Sequence, residues 1–359
     1  MIEKLIDGIK GRIEYYPFKD GLKSIGLNAG AGWDGTVERL LRDRDSADNK
    51  VEFDNKLSGY VQDIIFASNK SFSFYPFIKE DLVEIQKAID GLNDKIVVGT
   101  TLQMLENALS LAERSPQFAF KLNATTIVFV SKRKQEHRVN ITINDKVKEF
   151  LSLNNLTTSS KLVAFDSSER LCFDFVRVCA ERKTLELAVD YGTEMRANDR
   201  LNVESELYGK ITTLLGFSFP AAINIFPVIE STYNLPSESD YKIVELNFLT
   251  DDDYSHRVSG RGRTEPRDVR QDAYHIAGSQ REAITPYQIA MQITIGEYKR
   301  SELMLKSNAG MVQSDKPSKL TSAFIINCYN SAQIDSCLDY IYNSISIDID
   351  DENVESTAA

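Results

Sequence analysis

The chain is poor in the residues that most catalytic and metal chemistry needs. Its 359 residues include four cysteines, three histidines and one tryptophan. Cys172, Cys179, Cys328 and Cys337 form no C-x-x-C pair, which excludes zinc-ribbon and thioredoxin-like spacings. Cys172 and Cys179 fall on one expected strand at an odd separation, so they face opposite sides of a sheet and cannot share a metal unless a bulge intervenes. All four read as thiols of a reducing compartment, and a cytoplasmic location is expected. The sequence has no G-x-S-x-G, no P-loop and no calcium loop, and no cysteine has a histidine neighbour. No apolar run approaches the roughly 20 residues that span a bilayer. The start, MIEKLIDGIKGRIEYY, breaks its apolar residues with acids and lysines, unlike a secretory leader. No membrane contact is expected.

What is present is an ordinary globular balance, 42% hydrophobic and 26% charged, with a net charge of −11. That charge disfavours a surface that grips nucleic acid throughout. It leaves room for one local basic site, because fields decay over about 10 Å in moderate salt.

The expected fold class is α+β, with a mixed α/β region over 1–120 and a larger, mainly antiparallel sheet domain with packed helices over 121–345. An acidic tail over 346–359 is expected to be disordered. In the first region, strands are expected at Leu57–Ala67, Ser71–Phe77 and Lys95–Gly99. Leu82, Ile85, Ile89 and Leu92 predict one helix, and Leu102, Leu105, Leu109 and Ala112 another. In the second region, alternation predicts strands at Thr125–Val130 and Val139–Ile143 joined by a turn over Ser131–Arg138. A hairpin is expected about Ala180–Lys183 and a helix over Asp199–Leu215 stopped by Gly216. Further strands are expected at Ala222–Ile229, Lys242–Thr250, Tyr287–Ile295 and Ser322–Cys328, before a helix over Ser331–Ile345.

The most informative stretch is a polar insertion at 251–285. It carries six arginines, no lysine, seven carboxylates, and His256 and His275. Insertions of this length between strands are uncommon and usually functional or disordered. Arginine's planar fork matches phosphate or carboxylate in two-point fashion, so arginine without lysine suggests geometry rather than generic charge. Arg257, Arg261, Arg263, Arg267 and Arg270, with Tyr274, are the candidate polyanion or partner contacts. Thr264 is placed to cap a short helix ending at Gly278, with Arg267, Arg270 and Tyr274 on one face. Asp268, Asp272 and His275 would share another face, with ligand types suited to a divalent metal. The competing interpretation is a solvated loop whose arginines pair with its own acids.

A second basic candidate is the expected turn holding Lys132, Arg133, Lys134, His137 and Arg138. Glycines at 30, 32 and 35 spell G-x-G-x-x-G, with Asp54 near the position of a ribose-binding acid, but no clean strand precedes them; a surface turn is expected and no cofactor is predicted. Asp166, Glu181 and Lys183 match the short pattern of a metal-dependent nuclease, although Glu181 and Lys183 fall in a turn.

The leading expectation is a non-enzymatic cytoplasmic protein whose arginine-rich loop contacts nucleic acid or an acidic protein. The alternatives are a metal-dependent nuclease or phosphodiesterase, and a structural subunit of a larger assembly, such as a prokaryotic defence or mobile-element system.

Overall fold

The computed structural model describes residues 2–94, 117–139, 145–154, 164–191, 195, 197–236, 240–261, 266–295 and 298–345. The strands are β1 (Lys70–Pro76), β2 (Gln117–Lys121), β3 (Thr126–Val139), β4 (Ala164–Cys179), β5 (Thr184–Asp190), β6 (Tyr241–Thr250), β7 (Ser255–Ser259), β8 (Ile284–Ile295), β9 (Tyr298–Lys306) and β10 (Ser322–Ile326). Among the described residues they form one ten-stranded sheet, in the order β2-β3-β4-β5-β1-β10-β9-β8-β6-β7. Every neighbouring pair is antiparallel. The helices are α1 (Ile2–Ile9), α2 (Tyr15–Ser24), α3 (Gly32–Asp45), α4 (Lys50–Ala67), α5 (Asp81–Asp90), α6 (Asp145–Leu153), α7 (Ala197–Leu215), α8 (Pro227–Tyr233), α9 (Ala273–Ser279), α10 (Ala309–Val312) and α11 (Ser331–Ser344). The fold is α+β, as expected. β1, from the first 120 residues, lies between β5 and β10, both from the later part of the chain. Among the described residues no helix is long and apolar enough to cross a membrane.

Period-two alternation divides the core into two faces. On the first, Phe72, Phe74, Phe173, Phe175, Ile289 and Leu303 pack with apolar residues of α1–α4, α8 and α11. On the second, Ile127, Phe129, Val176, Leu185 and Leu187 pack under α5 and α7. α7 presents Leu207, Ile211 and Leu215 at helical spacing, and Gly216 ends it at φ +65°. A smaller cluster on the second face joins Val244, Ala290, Met304 and Phe324, flanked by Tyr191 and Ile326. Each of these is a strand residue or directly follows a strand.

Several elements differ from expectation. Leu57–Ala67 is the second half of α4, because Leu57, Tyr60, Val61, Ile64 and Ile65 bury one broad helical face. Asn49 caps that helix by accepting from Glu52 N at 3.1 Å. Ala222–Ile229 contains no strand, and Pro227 instead opens α8. Ser131–Arg138 is not a turn, because β3 runs unbroken and pairs with β4 from Thr126↔Arg177 to Val139↔Ala164. Among the described residues, β2 covers the other side of β3 from Ile127 to Ser131. The charged run therefore lies within a strand, paired with β4 along its length. β9 was not anticipated, because Glu302 and Lys306 interrupt its apolar pattern. The elements expected over 95–112 and the 346–359 tail lie outside the described residues.

Candidate functional site

The insertion folds onto the end of the sheet. It supplies edge strand β7, a 3-10 turn over Val269–Gln271, and α9. Asp272 caps α9, its carboxylate accepting from Tyr274 N at 3.0 Å and His275 N at 3.1 Å. The cap expected at Thr264 lies outside the described residues, as does Arg263.

Two glutamates on the strands that flank β8 gather the arginines. Glu302 of β9 is 2% exposed, and Glu245 of β6 is also buried. Arg261 embraces Glu302 with both terminal nitrogens, Nη1 lying 3.2 Å from Oε2 and Nη2 bonding Oε1. Its Nε lies 3.4 Å from Glu245 Oε2. Arg257 reaches Glu245 Oε1 at 3.0 Å while its side chain stays 68% exposed. Gln288 donates to the same Oε1 at 3.4 Å. Half-buried Lys306 places its ammonium 4.9 Å from the centre of the Phe324 ring. Burial raises the Glu302 pKa despite opposition from Arg261, with Glu14 and Glu245 adding to the rise. Burial lowers the Lys306 pKa. Clustered perturbed groups at an accessible surface mark a candidate site. The carboxylates orient the guanidinium forks and leave Arg257 partly open to solvent, an arrangement suited to receiving a carboxylate or phosphate.

A cleft of about 860 Å³ lies beside this cluster, lined by Lys242, Val258, Gly260, Arg267, Asp268 and Asp272 among others. Gly260 closes its wall: a Cβ there would meet Arg267 O at 2.1 Å. Arg267 N donates to Gly260 O at 2.8 Å, and the Arg267 side chain is exposed.

Arg270 and Tyr274 do not share the expected binding face. Arg270 is half-buried, pairs with Asp268 at 2.6 Å, and donates to Tyr233 O at 3.2 Å and to Leu235 O. It thereby satisfies carbonyls at the end of α8 that have no partner within that helix. Tyr274 is 91% exposed. The Asp268, Asp272 and His275 set is likewise divided. Asp268 holds Arg270, Asp272 caps α9, and His275 Nε2 lies 3.2 Å from Tyr233 Oη. Burial lowers the His275 pKa. Among the described residues no group of three metal-ligating side chains converges.

The basic stretch of β3 is remote from the insertion. β3 and β7 lie near opposite ends of the strand order, roughly 35–40 Å apart across the sheet at about 4.8 Å per strand. Arg133 is turned inward, bonding Asp174 and donating to Asp190 O at 3.0 Å. Lys132 is half-buried opposite Leu171. The side chains of Lys134, His137 and Arg138 lie outside the described residues.

Asp166 is paired with His137 far along β4, whereas Glu181 and Lys183 sit in the turn after Cys179. The strand climbs roughly 40 Å between Asp166 and that turn at about 3.3 Å per residue. The three are therefore not assembled as a nuclease site. The side chain of Asp166 lies outside the described residues. The glycine-rich stretch is not a surface turn: Gly32 and Gly35 lie in the first turn of α3, which follows helix α2 rather than a strand, and Trp33 stacks on Phe18 at 4.6 Å. Asp54 is engaged by Arg44 at 2.7 and 2.8 Å.

Glu245, Glu302 and Lys306 were missed by sequence reasoning. Their signal was a charged residue within an apolar strand pattern, visible at Glu302 in SELML.

No protein-family model, curated protein or solved structure matches the chain.

Proposed function

We propose that the protein is a non-enzymatic binding protein whose insertion receives an acidic, extended segment of a partner protein. The carrying observation is the coincidence of a terminal strand with oriented arginines. Among the described residues β7 is last in the sheet, so its outer edge is a template for an added strand. Arg257 lies on that strand and Arg261 just beyond it, both oriented by buried glutamates. Arg267, bonded through its backbone N to Gly260 O just beyond β7, and Tyr254, just before β7, are also exposed. A carboxylate-bearing strand would combine backbone pairing with recognition by these side chains. The engagement of Arg133 and Arg270 within the fold leaves few open arginines, which favours a short acidic segment over a nucleic-acid backbone.

The test is fluorescence anisotropy with a labelled peptide alternating isoleucine and aspartate, its lysine counterpart, and a single-stranded oligonucleotide. The acidic peptide should bind best, and binding should weaken as salt rises. Arg257→Ala with Arg267→Ala should weaken it about tenfold, the effect of losing roughly 1.4 kcal/mol of charge-assisted contacts. Tighter binding of the oligonucleotide would replace the acidic partner with nucleic acid. Equal binding of the acidic and basic peptides would end the proposal.

A further inference from the structure

We infer that Lys306 is a carbonyl-capturing amine, and that the surface around it takes a short aldehyde or ketone carrying a carboxylate. Lys306 ends β9, and the strand register sets it in a row with three polar residues: Lys306↔Gln288, Gln288↔Asn247 and Asn247↔Arg257. The row crosses β9, β8, β6 and β7, which are successive strands of the sheet. All four residues belong to the second face, because their chain neighbours Leu305, Ile289, Leu246 and Val258 pack with the first-face core. An amine stands at one end and a guanidinium at the other, roughly 14 Å apart at the backbone for three spacings of about 4.8 Å.

Three members of the row have bonding capacity left. Among the described residues Lys306 makes no hydrogen bond and no ion pair, and its ammonium lies 4.9 Å from the centre of the Phe324 ring and 5.8 Å from that of Tyr191. Asn247 Oδ1 is buried and, among the described residues, has no hydrogen-bond partner. Arg257 reaches Glu245 Oε1 at 3.0 Å and keeps most of its side chain in solvent. Burial lowers the Lys306 pKa; Glu245 and Glu302 oppose the fall, and Arg261 and Arg257 add to it. Desolvation beside other cations makes a lysine nucleophilic, since the neutral amine is the form that attacks. The half-buried amine adds its electron pair to the carbonyl carbon, and its proton passes to the carbonyl oxygen. Loss of that oxygen as water leaves an imine: one C=O bond is exchanged for one C=N bond, with no change of oxidation state. The open fork of Arg257 matches a carboxylate at the other end of the same small molecule. Capture at Lys306 is independent of the proposed partner segment; the carboxylate preference shares Arg257 with that reading.

The test treats the full-length chain with succinic semialdehyde or with butanal, each with cyanoborohydride, which reduces an imine to a stable amine. Labelled positions are mapped by peptide mass. Lys306 should be labelled about tenfold faster than the exposed Lys19 and Lys242 at neutral pH. Its rate should also level off at lower pH than theirs. At Lys306 succinic semialdehyde should outpace butanal about fivefold, the effect of one charge-assisted contact. Arg257→Ala should abolish that preference. Labelling of Lys306 no faster than that of Lys19 and Lys242 with either aldehyde overturns the capture. Equal rates for the two aldehydes at Lys306 overturn the carboxylate-bearing ligand, and an unchanged preference in Arg257→Ala overturns the role of Arg257. Failure of the acidic peptide to bind ends the proposed function alone, because the labelling rates at Lys306 are read without it.

Discussion

Arg12 and Asp190 lie 178 residues apart in the chain and form a buried ion pair near the centre of the sheet. Arg12 also donates from Nε to Gly8 O at 2.8 Å and from Nη2 to Leu171 O. The same Asp190 oxygen accepts from Phe173 N at 3.0 Å and lies 3.5 Å from Lys70 Nζ. The segment after α1 is thereby fastened to β4, β5 and β1.

Removing one partner strands the other charge in the interior. Arg12→Ala should destabilise the protein by about 3–5 kcal/mol, as for other broken buried pairs. Urea unfolding checks the magnitude, and faster amide exchange over α1 and α2 checks the location. A loss below about 1 kcal/mol would show that Lys70 alone compensates Asp190.

Arg261 covers a carboxylate that burial already disfavours. Arg261→Ala should cost about 1–3 kcal/mol by leaving Glu302 without its principal hydrogen-bond donor. Adding Glu302→Gln should recover most of the loss, because the neutral amide carries no buried charge. A double-mutant cycle in urea measures the coupling, and strictly additive losses would contradict the contact.

His275 sets a pH dependence with a definite sign. Its folded pKa lies below the unfolded value near 6.5 because burial disfavours the imidazolium. Above about pH 6.5 both states are neutral at this residue and its stability contribution is complete. As pH falls, the unfolded chain binds the proton first, so stability declines until the folded pKa is passed. His275→Gln should flatten this part of the thermal-stability profile between about pH 7 and 5. An unchanged slope would assign the dependence to other groups.

The thiols should separate by burial. Cys172, Cys328 and Cys337 are buried, whereas Cys179 is half-buried. Burial pushes the Cys172 pKa up to about 11, and a hydrogen bond with Cys328 together with burial raises that of Cys337. Since the thiolate is the reactive form, an aromatic disulfide reagent at mildly alkaline pH should label Cys179 first in the native protein. The other three should react on the timescale of unfolding. Fast native labelling of all four would contradict this packing.

The hairpin through Phe173 and Leu187, α7 and α11 were legible because their apolar residues follow one clear period, and α7 in addition ends at Gly216. Leu57–Ala67 was not, because an apolar run rich in branched residues suits a strand or a buried helix equally. The charged run after Ser131 resembled a turn, since sequence does not show that β4 pairs with it along its length. The site was half legible. Arginine density drew attention to the insertion, but the glutamates that orient Arg257 and Arg261 come from β6 and β9.

The sequence by itself determined the α+β class, the alternation that gives the sheet two faces, and an insertion rich in arginine and without lysine. Those follow from local periodicity and composition. Only the tertiary structure decided which arginines are spent inside the fold. Arg133 and Arg270 face buried acids, while Arg257 and Arg267 reach solvent, because strand order and register bring together charges far apart in the chain.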